Sequence, residues 1–379
     1  MKKILVAVAL LFCGSIGYTQ AQETDLTQKW KKGILVEEFL YDKAPFPSCH
    51  SATIAETPTG LVASFFGGTK ERHPDVGIWV CRQENNKWTA PVEVANGNQE
   101  DGSRLPTWNP VLYQVPNGGD LLLFYKIGPS PSTWQGWMKS SKDGGKTWSA
   151  AKMLPEGYVG PVKNKPELIN GELFCASSTE GDGWKVHFEV TPDFGKTWYK
   201  IGPLDKGSED LNAIQPSILK HGNGKLQIIA RSKHRALVES WSTDNGRTWS
   251  PLKKTGLPNN NSGTDAVTMA NGKHVLVYNH VLPPGDLAKG PRTPLNVAVS
   301  EDGKKWKAAL VLENSPISQY SYPAVIQTSD GLLHFIYTWR RQRIKHVVVD
   351  PSKMKTKKIK NGEWPGGNPV AGEVQDQES

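Results

Sequence analysis

Apolar residues in this chain fall into short runs, and the runs are separated by polar turns rich in Gly and Pro. One order recurs: a polar residue, often Pro next, a short apolar run, a Gly turn, then a second apolar run. The copies are Ser51-Ala52-Thr53-Ile54 before Gly60, Asn109-Pro110-Val111-Leu112 before Gly118, and Lys165-Pro166-Glu167-Leu168 before Gly171. Gln215-Pro216-Ser217-Ile218 before Gly224, Asp265-Ala266-Val267 before Gly272, and Tyr322-Pro323-Ala324-Val325 before Gly331 continue the series. The turn glycines lie 58, 53, 53, 48 and 59 residues apart. Short strands joined by Gly turns at a period near fifty residues predict an all-β repeat of about four strands per unit, a six-bladed β-propeller. Helical periodicity is nearly absent, which leaves an α/β fold without support.

A second motif runs in step with the first. Ser141-Lys142-Asp143-Gly144-Gly145-Lys146-Thr147-Trp148 reads S-x-D-x-G-x-T-W, and 191–198 and 242–249 repeat it, the first with Thr for Ser. Residues 300–306 form a copy one residue shorter, and 82–88 a worn copy that keeps little beyond Trp88. The physics is local: the Asp accepts backbone N–H groups of its own turn, Gly permits positive φ, and the Trp pins the turn to neighbouring strands. So Asp143, Asp193, Asp244 and Asp302 are read as structural despite their acidity. The sixth unit lacks such a turn after 344–349. Residues 33–40 are expected to supply its fourth strand and close the ring, which removes exposed sheet edges.

Composition refines this picture. Among 379 residues stand 14 Trp, 37 Gly and 27 Pro, suited to many strands with tight turns. Lys2 and Lys3 precede an apolar run, and Thr19-Gln20-Ala21 offers small residues for cleavage, so 1–22 reads as an export leader and the protein as periplasmic or secreted. Cys13 raises a lipid-anchored alternative, but Phe12 suits it poorly. The propeller is expected over 23–352 and a loose basic-then-acidic tail over 353–379. No later run is long enough to span a bilayer. Beyond the leader only Cys49, Cys81 and Cys175 remain, too few for a disulfide framework. No metal-ligand cluster and no cofactor motif stands out, so neither metal nor cofactor is expected. The formal charge is +8, or +6 without Lys2 and Lys3. With no nucleic-acid motif beside it, that charge favours an acidic glycan as partner over DNA.

These repeats, together with Phe65-Phe66-Gly67-Gly68-Thr69-Lys70-Glu71, Asn164-Lys165-Pro166, Ser262-Gly263-Thr264-Asp265-Ala266 and Tyr320-Ser321-Tyr322-Pro323, resemble the sialidase superfamily over roughly 45–350. Its bacterial "predicted neuraminidase", or BNR-repeat, branch looks nearest, and the acidic turns look like its Asp boxes. The resemblance implies three arginines gripping a substrate carboxylate, an Asp as acid/base, and a Tyr nucleophile assisted by a Glu. Arg231 fits the second arginine and Arg292 the third, whereas His50 stands at the place of the first. Asp75 matches the acid/base, and Tyr322 or Tyr320 the nucleophile. Gln215 stands where the assisting Glu belongs, and Thr338 near the Glu that braces the first arginine. Gln215 cannot take the tyrosine's proton, so sialidase hydrolysis of the usual kind is not expected.

Inner strands of a propeller converge on one channel, so His50, Asn109, Lys165, Gln215, Asp265 and Tyr322 are expected to share a pocket. Glu71, Trp134, His280 and Arg340 are expected around it, with Trp134 stacking a sugar. Two classes of function follow. The first is an enzyme on uronic-acid oligosaccharides. Elimination is favoured there, with Arg231, Arg292 and Lys165 neutralising the carboxylate and Tyr322, His50 or His280 as base. Hydrolysis by Asp75 and Tyr322 is the alternative chemistry. The second class is a glycan-binding propeller without turnover.

Overall fold

Each acidic turn folds as its residues dictate. In the fourth unit, Asp244 Oδ1 accepts the Arg247 and Thr248 amides at 3.0 and 2.9 Å, and Oδ2 accepts the Thr248 hydroxyl at 2.6 Å. Ser242 Oγ takes the Gly246 amide, whose residue sits at φ +83°. Trp249 then reaches back and stacks on Phe188 of the preceding unit, with centroids 4.5 Å apart. Asp143 and Asp193 repeat the pattern, and Asp302 keeps the amide contacts to Lys304 and Lys305. The worn copy has become a tight Asn85-Asn86 turn with both residues at positive φ, and its Trp88 bonds Glu38 instead.

The computed structural model describes residues 29–367. The leader, Cys13 and 368–379 lie outside the described residues. Six sheets form, one per repeat, in a six-bladed propeller. Blade one holds Ser48–Thr57, Gly60–Gly68, Gly77–Glu84 and Val92–Ala95; blade four holds Ala213–Lys220, Leu226–Ser232, Ala236–Ser242 and Lys253–Pro258. Core clusters lie where the faces of successive blades meet, as with Phe174, Phe188, Ile218 and Ile228 between blades three and four. Cys49, Cys81 and Cys175 are all buried and unpaired.

The ring closes as the missing turn implied. Ile34–Phe39 pairs antiparallel with Arg343–Val349 and becomes the outer strand of blade six. Glu38 on that strand accepts from Trp88 of blade one and lies 2.9 Å from His346, which contacts His334 in turn. The expectation of a loose tail fails for 353–367. Lys357–Lys358 extends blade five beyond Trp306–Glu313, and Trp364 is buried against Trp30. Two aromatic rings gained enough apolar contact to hold a segment whose Gly and Pro content argued for freedom.

The acidic turns give a stability prediction. The Thr248 hydroxyl, then the turn amides and Ser242, hold the Asp244 carboxyl down at about 2. A depressed carboxylate contributes stability above its unfolded value and loses it as pH falls through the folded one. Asp244→Ala should lower unfolding free energy by about 1–3 kcal/mol at neutral pH. The deficit should shrink toward pH 2, with site chemistry unchanged in folded protein. Denaturation across pH checks this, and a folded variant lacking activity contradicts it.

Candidate functional site

The site begins with an irregularity shared by four blades. The pairing of the first two strands shifts register between His50 and Thr53, Trp108 and Val111, Ile214 and Ser217, and Ser321 and Ala324. At each shift one residue takes positive φ: Ser51 at 57°, Asn109 at 33°, Gln215 at 56° and Tyr322 at 50°. A bulge here turns the strand's first side chains toward the axis instead of the inter-blade face. Ser51, not His50, is therefore the blade-one counterpart of Asn109, Gln215 and Tyr322, and His50 precedes the bulge.

Four of the expected residues meet at Tyr322. Arg231 Nη1 donates to the Tyr322 hydroxyl at 2.8 Å, and Gln215 Nε2 approaches the same oxygen at 3.4 Å. Gln215 Oε1 accepts from Arg231 at 3.2 Å, so the residue at the Glu position serves the arginine. Asn261 takes the other edge of Arg231 through its side chain and backbone carbonyl. The Arg292 guanidinium lies 5.6 Å from the Tyr322 ring centroid, and the His50 ring 4.2 Å from it. His50 Nδ1 sits 2.9 Å from Thr338 Oγ1, near the position where the resemblance implies a Glu bracing the first arginine.

Arg341 completes the cluster, and the sequence reading missed it. Arg340, expected there, points outward: it covers the Trp339 ring at 4.5 Å and bonds the Tyr320 hydroxyl and Ser315. The turn holding both residues has two successive left-handed conformations, Arg340 at 50° and Arg341 at 59°. Strand alternation fails across such a turn. Arg341 turns inward and pairs with Glu71 at 2.6 Å. Gln319 Oε1 accepts from Arg292, Arg341 and Ser321 together.

Charge in this cluster is unbalanced. Among the described residues, neither Arg231 nor Arg292 reaches a carboxylate. Burial and the nearby Arg341 oppose the charge on Arg292. Burial, then Arg341, Arg292, Lys163 and Arg231, hold the His50 imidazole well below its ordinary range, so it is neutral near pH 7.

Other expected residues lie elsewhere. Lys165 is bound to Asp265 at 2.9 Å and to the Ala266 carbonyl, so it does not offer its charge to a ligand. Asp265 is consumed by Ser217 and the Val325 amide as well. Both belong to a polar plug below the site. Asn109 is buried, and its carbonyl accepts from Lys126. Asp75 is half-exposed on the loop after Gly60–Gly68. Against the upward push of partial burial, Thr69 and His73 hold its carboxyl low, and no hydrogen bond joins it to the cluster. His280 is remote from Tyr322: it contacts the Tyr278 hydroxyl at 2.5 Å and the Gly362 carbonyl at 2.8 Å, beneath the docked tail. Trp134 packs edge-on to Trp108 and lines a separate cleft between blades two and three.

The plug holds a second residue that the motifs did not single out. Lys163, fully buried, donates to Asn164 Oδ1 at 2.8 Å, to the Thr264 carbonyl at 2.9 Å and to the Pro323 carbonyl at 2.5 Å. Burial pushes its ammonium down to about 7, partly countered by Asp265. Between about pH 7 and about pH 10 the unfolded chain thus binds a proton that the folded chain lacks, and this group's contribution to stability rises with pH. Lys163→Met lacks that rise. Unfolding free energy of wild type minus that of the variant should rise from pH 7 to about pH 9 in urea titrations. A constant or falling difference contradicts the assignment.

Comparison with known proteins places this geometry in a group. Residues 59–335 match the family described as BNR repeat-like domain. The NanB sialidase of Streptococcus pneumoniae superposes with a TM-score of 0.65 at 11% identity, covering 85% of this chain and 71% of that one. An intramolecular trans-sialidase from Ruminococcus gnavus gives 0.66 at 12%, covering 84% and 98%. An alpha-L-arabinanase from Penicillium chrysogenum gives 0.61 at 17%, covering 85% and 99%. At these identities the likeness is one of fold.

Proposed function

This chain belongs to the BNR repeat-like domain family, and from that premise we propose that it is a carbohydrate-active enzyme that eliminates at a uronic-acid residue of an acidic oligosaccharide. The observation that carries the reading is the convergence of Arg231, Arg292 and Arg341 from three blades around Tyr322 and His50, with Glu71 as their one ion-pair partner among the described residues. Buried guanidinium groups lacking carboxylates favour a ligand that brings one. Likeness of fold to sialidases and an arabinanase supports sugar chemistry at the channel mouth.

Elimination suits the groups present. The arginines neutralise the uronate carboxylate, which acidifies the proton at C5. His50, neutral and held by Thr338, and Tyr322 stand together to receive that proton. Sialidase-type hydrolysis is the second reading, favoured by the place of Tyr322 beside Arg231. It lacks a base for the tyrosine at Gln215, and Asp75 is engaged with Thr69 and His73. The leader-like segment 1–22 supports action outside the cytoplasm.

Elimination leaves a C4–C5 double bond conjugated with the carboxylate, which absorbs in the near ultraviolet; hydrolysis leaves none. Uronic-acid oligosaccharides should gain that absorbance with the protein. Arg231→Ala, Arg341→Ala and Tyr322→Phe should each lose at least about 100-fold in rate, whereas Arg340→Ala should retain it. Release of free sialic acid from a sialoside, with no absorbance change on uronides, would establish the hydrolytic reading. Binding of uronides without product would establish a glycan-binding propeller.

A further inference from the structure

We infer that Glu180 is the general acid of this site and that the cleft between blades two and three holds the sugar that leaves. The inference rests on the elimination reading above. It starts from the carboxylates that flank the arginine cluster. Glu71 is paired with Arg341. Asp265 is saturated by Lys165, Ser217 and the Val325 and Ala266 amides. Glu189 is fully buried, with His187 at 3.0 Å and the Val159 and Gly160 amides on its second oxygen. Asp75 is held by Thr69 and His73. Glu180 alone in this set makes no hydrogen bond or ion pair.

Its position joins two spaces. Glu180 directly follows the strand Glu172–Thr179 of blade three and lines a cleft of about 370 Å³ with Trp134, Tyr158 and His187. That size is within the range of small-ligand pockets. Ser178, two residues earlier, also lines the cleft and accepts the Gln215 amide at 3.2 Å. Gln215 touches both Arg231 and Tyr322. Trp184, on the same loop as Glu180, lies with its ring centroid 5.3 Å from the Arg231 guanidinium. The loop that carries Glu180 thus borders the cationic cluster on one side and, on the other, an aromatic cleft whose charged lining residues are Glu156, Glu180 and Glu189. An uncharged sugar stacked on Trp134 suits that cleft, as the uronate suits the arginines.

The charge state agrees with the role. Burial raises the Glu180 carboxyl above its ordinary range, although Arg231 and Lys233 pull it down. A carboxyl whose burial favours its protonated form suits the role of acid better than that of a second counter-ion. In the step, His50 or Tyr322 takes the C5 proton and the C5–H electron pair forms the C4–C5 double bond. The C4–O bond breaks with its electrons on oxygen, and Glu180 gives that oxygen its proton. Solvent then reprotonates Glu180 and takes the proton from the base.

The test compares wild type, Glu180→Gln and Glu180→Ala on two substrates: a uronate carrying a neutral sugar at O4, and one carrying a 4-nitrophenyl ether there. Nitrophenolate leaves without an acid; a sugar does not. On the sugar substrate, Glu180→Gln should lose about 100-fold or more in kcat with KM little changed, and the alkaline limb of the wild-type pH profile should vanish. On the aryl ether the loss should be far smaller. Trp134→Ala should raise KM for the sugar substrate. Wild-type kcat in Glu180→Gln, or equal losses on both substrates, overturns the acid assignment while elimination stands. No unsaturated product from wild type overturns both.

Discussion

The axis of the ring is where this structure is most constrained. Asp265, from blade five, holds Lys165 of blade three, Ser217 of blade four and the Val325 amide of blade six. Lys163 beside it reaches the Thr264 and Pro323 carbonyls. Charges this deeply buried are tolerable only when each lone pair and proton has a partner. The plug therefore fixes the relative positions of four blades at the point where their inner strands begin. It adjoins the site as its floor, with Lys163 Nζ 5.8 Å from the Tyr322 ring centroid.

Above that floor, the bulges do the aiming. A regular strand would send alternate side chains into the inter-blade cores. The positive-φ residues at Asn109, Gln215 and Tyr322 interrupt the alternation and lift the strand starts toward the axis. Such conformations cost energy for a non-glycine residue and persist where the surroundings over-determine them. Here the surroundings are the plug below and the arginine cluster above. Arg231 is fixed by Asn261 and Gln215, and Arg292 and Arg341 by the shared amide oxygen of Gln319. Neutral amides orient Arg231 and Arg292 without cancelling their charge, and Glu71 offsets only Arg341, which leaves an attractive field for an anion.

The acidic turns and the closing strand belong to a different level of organisation. Asp143, Asp193 and Asp244 are satisfied within their own turns, and Trp198 and Trp249 carry that local order to the preceding blade. They stabilise the frame far from the chemistry. The docked tail adds a further strand to blade five and covers His280 with Trp364.

The sequence by itself determined the repeat, the six blades, the turn chemistry and the strand that closes the ring. Those features depend on residues close in the chain, or on a period that survives any detail of packing. It also marked His50, Gln215 and Tyr322, because strand starts in a propeller share one destination, and Arg231 and Arg292 through the resemblance to the sialidase superfamily. Tertiary structure alone decided which of them remain available. Lys165 and Asp265 neutralise each other across 100 residues of sequence, a partnership with no local signal. Arg341 faces the site and Arg340 does not, since two left-handed residues reverse the alternation that a strand reading assumes. Glu180 could be placed near the pocket from the sequence, but the role of Lys163 and the lack of a partner for Glu180 became visible only once blades distant in sequence were brought side by side. Burial and hydrogen-bond supply are properties of the assembled ring, and they separate the charges that hold it together from those left to meet a substrate.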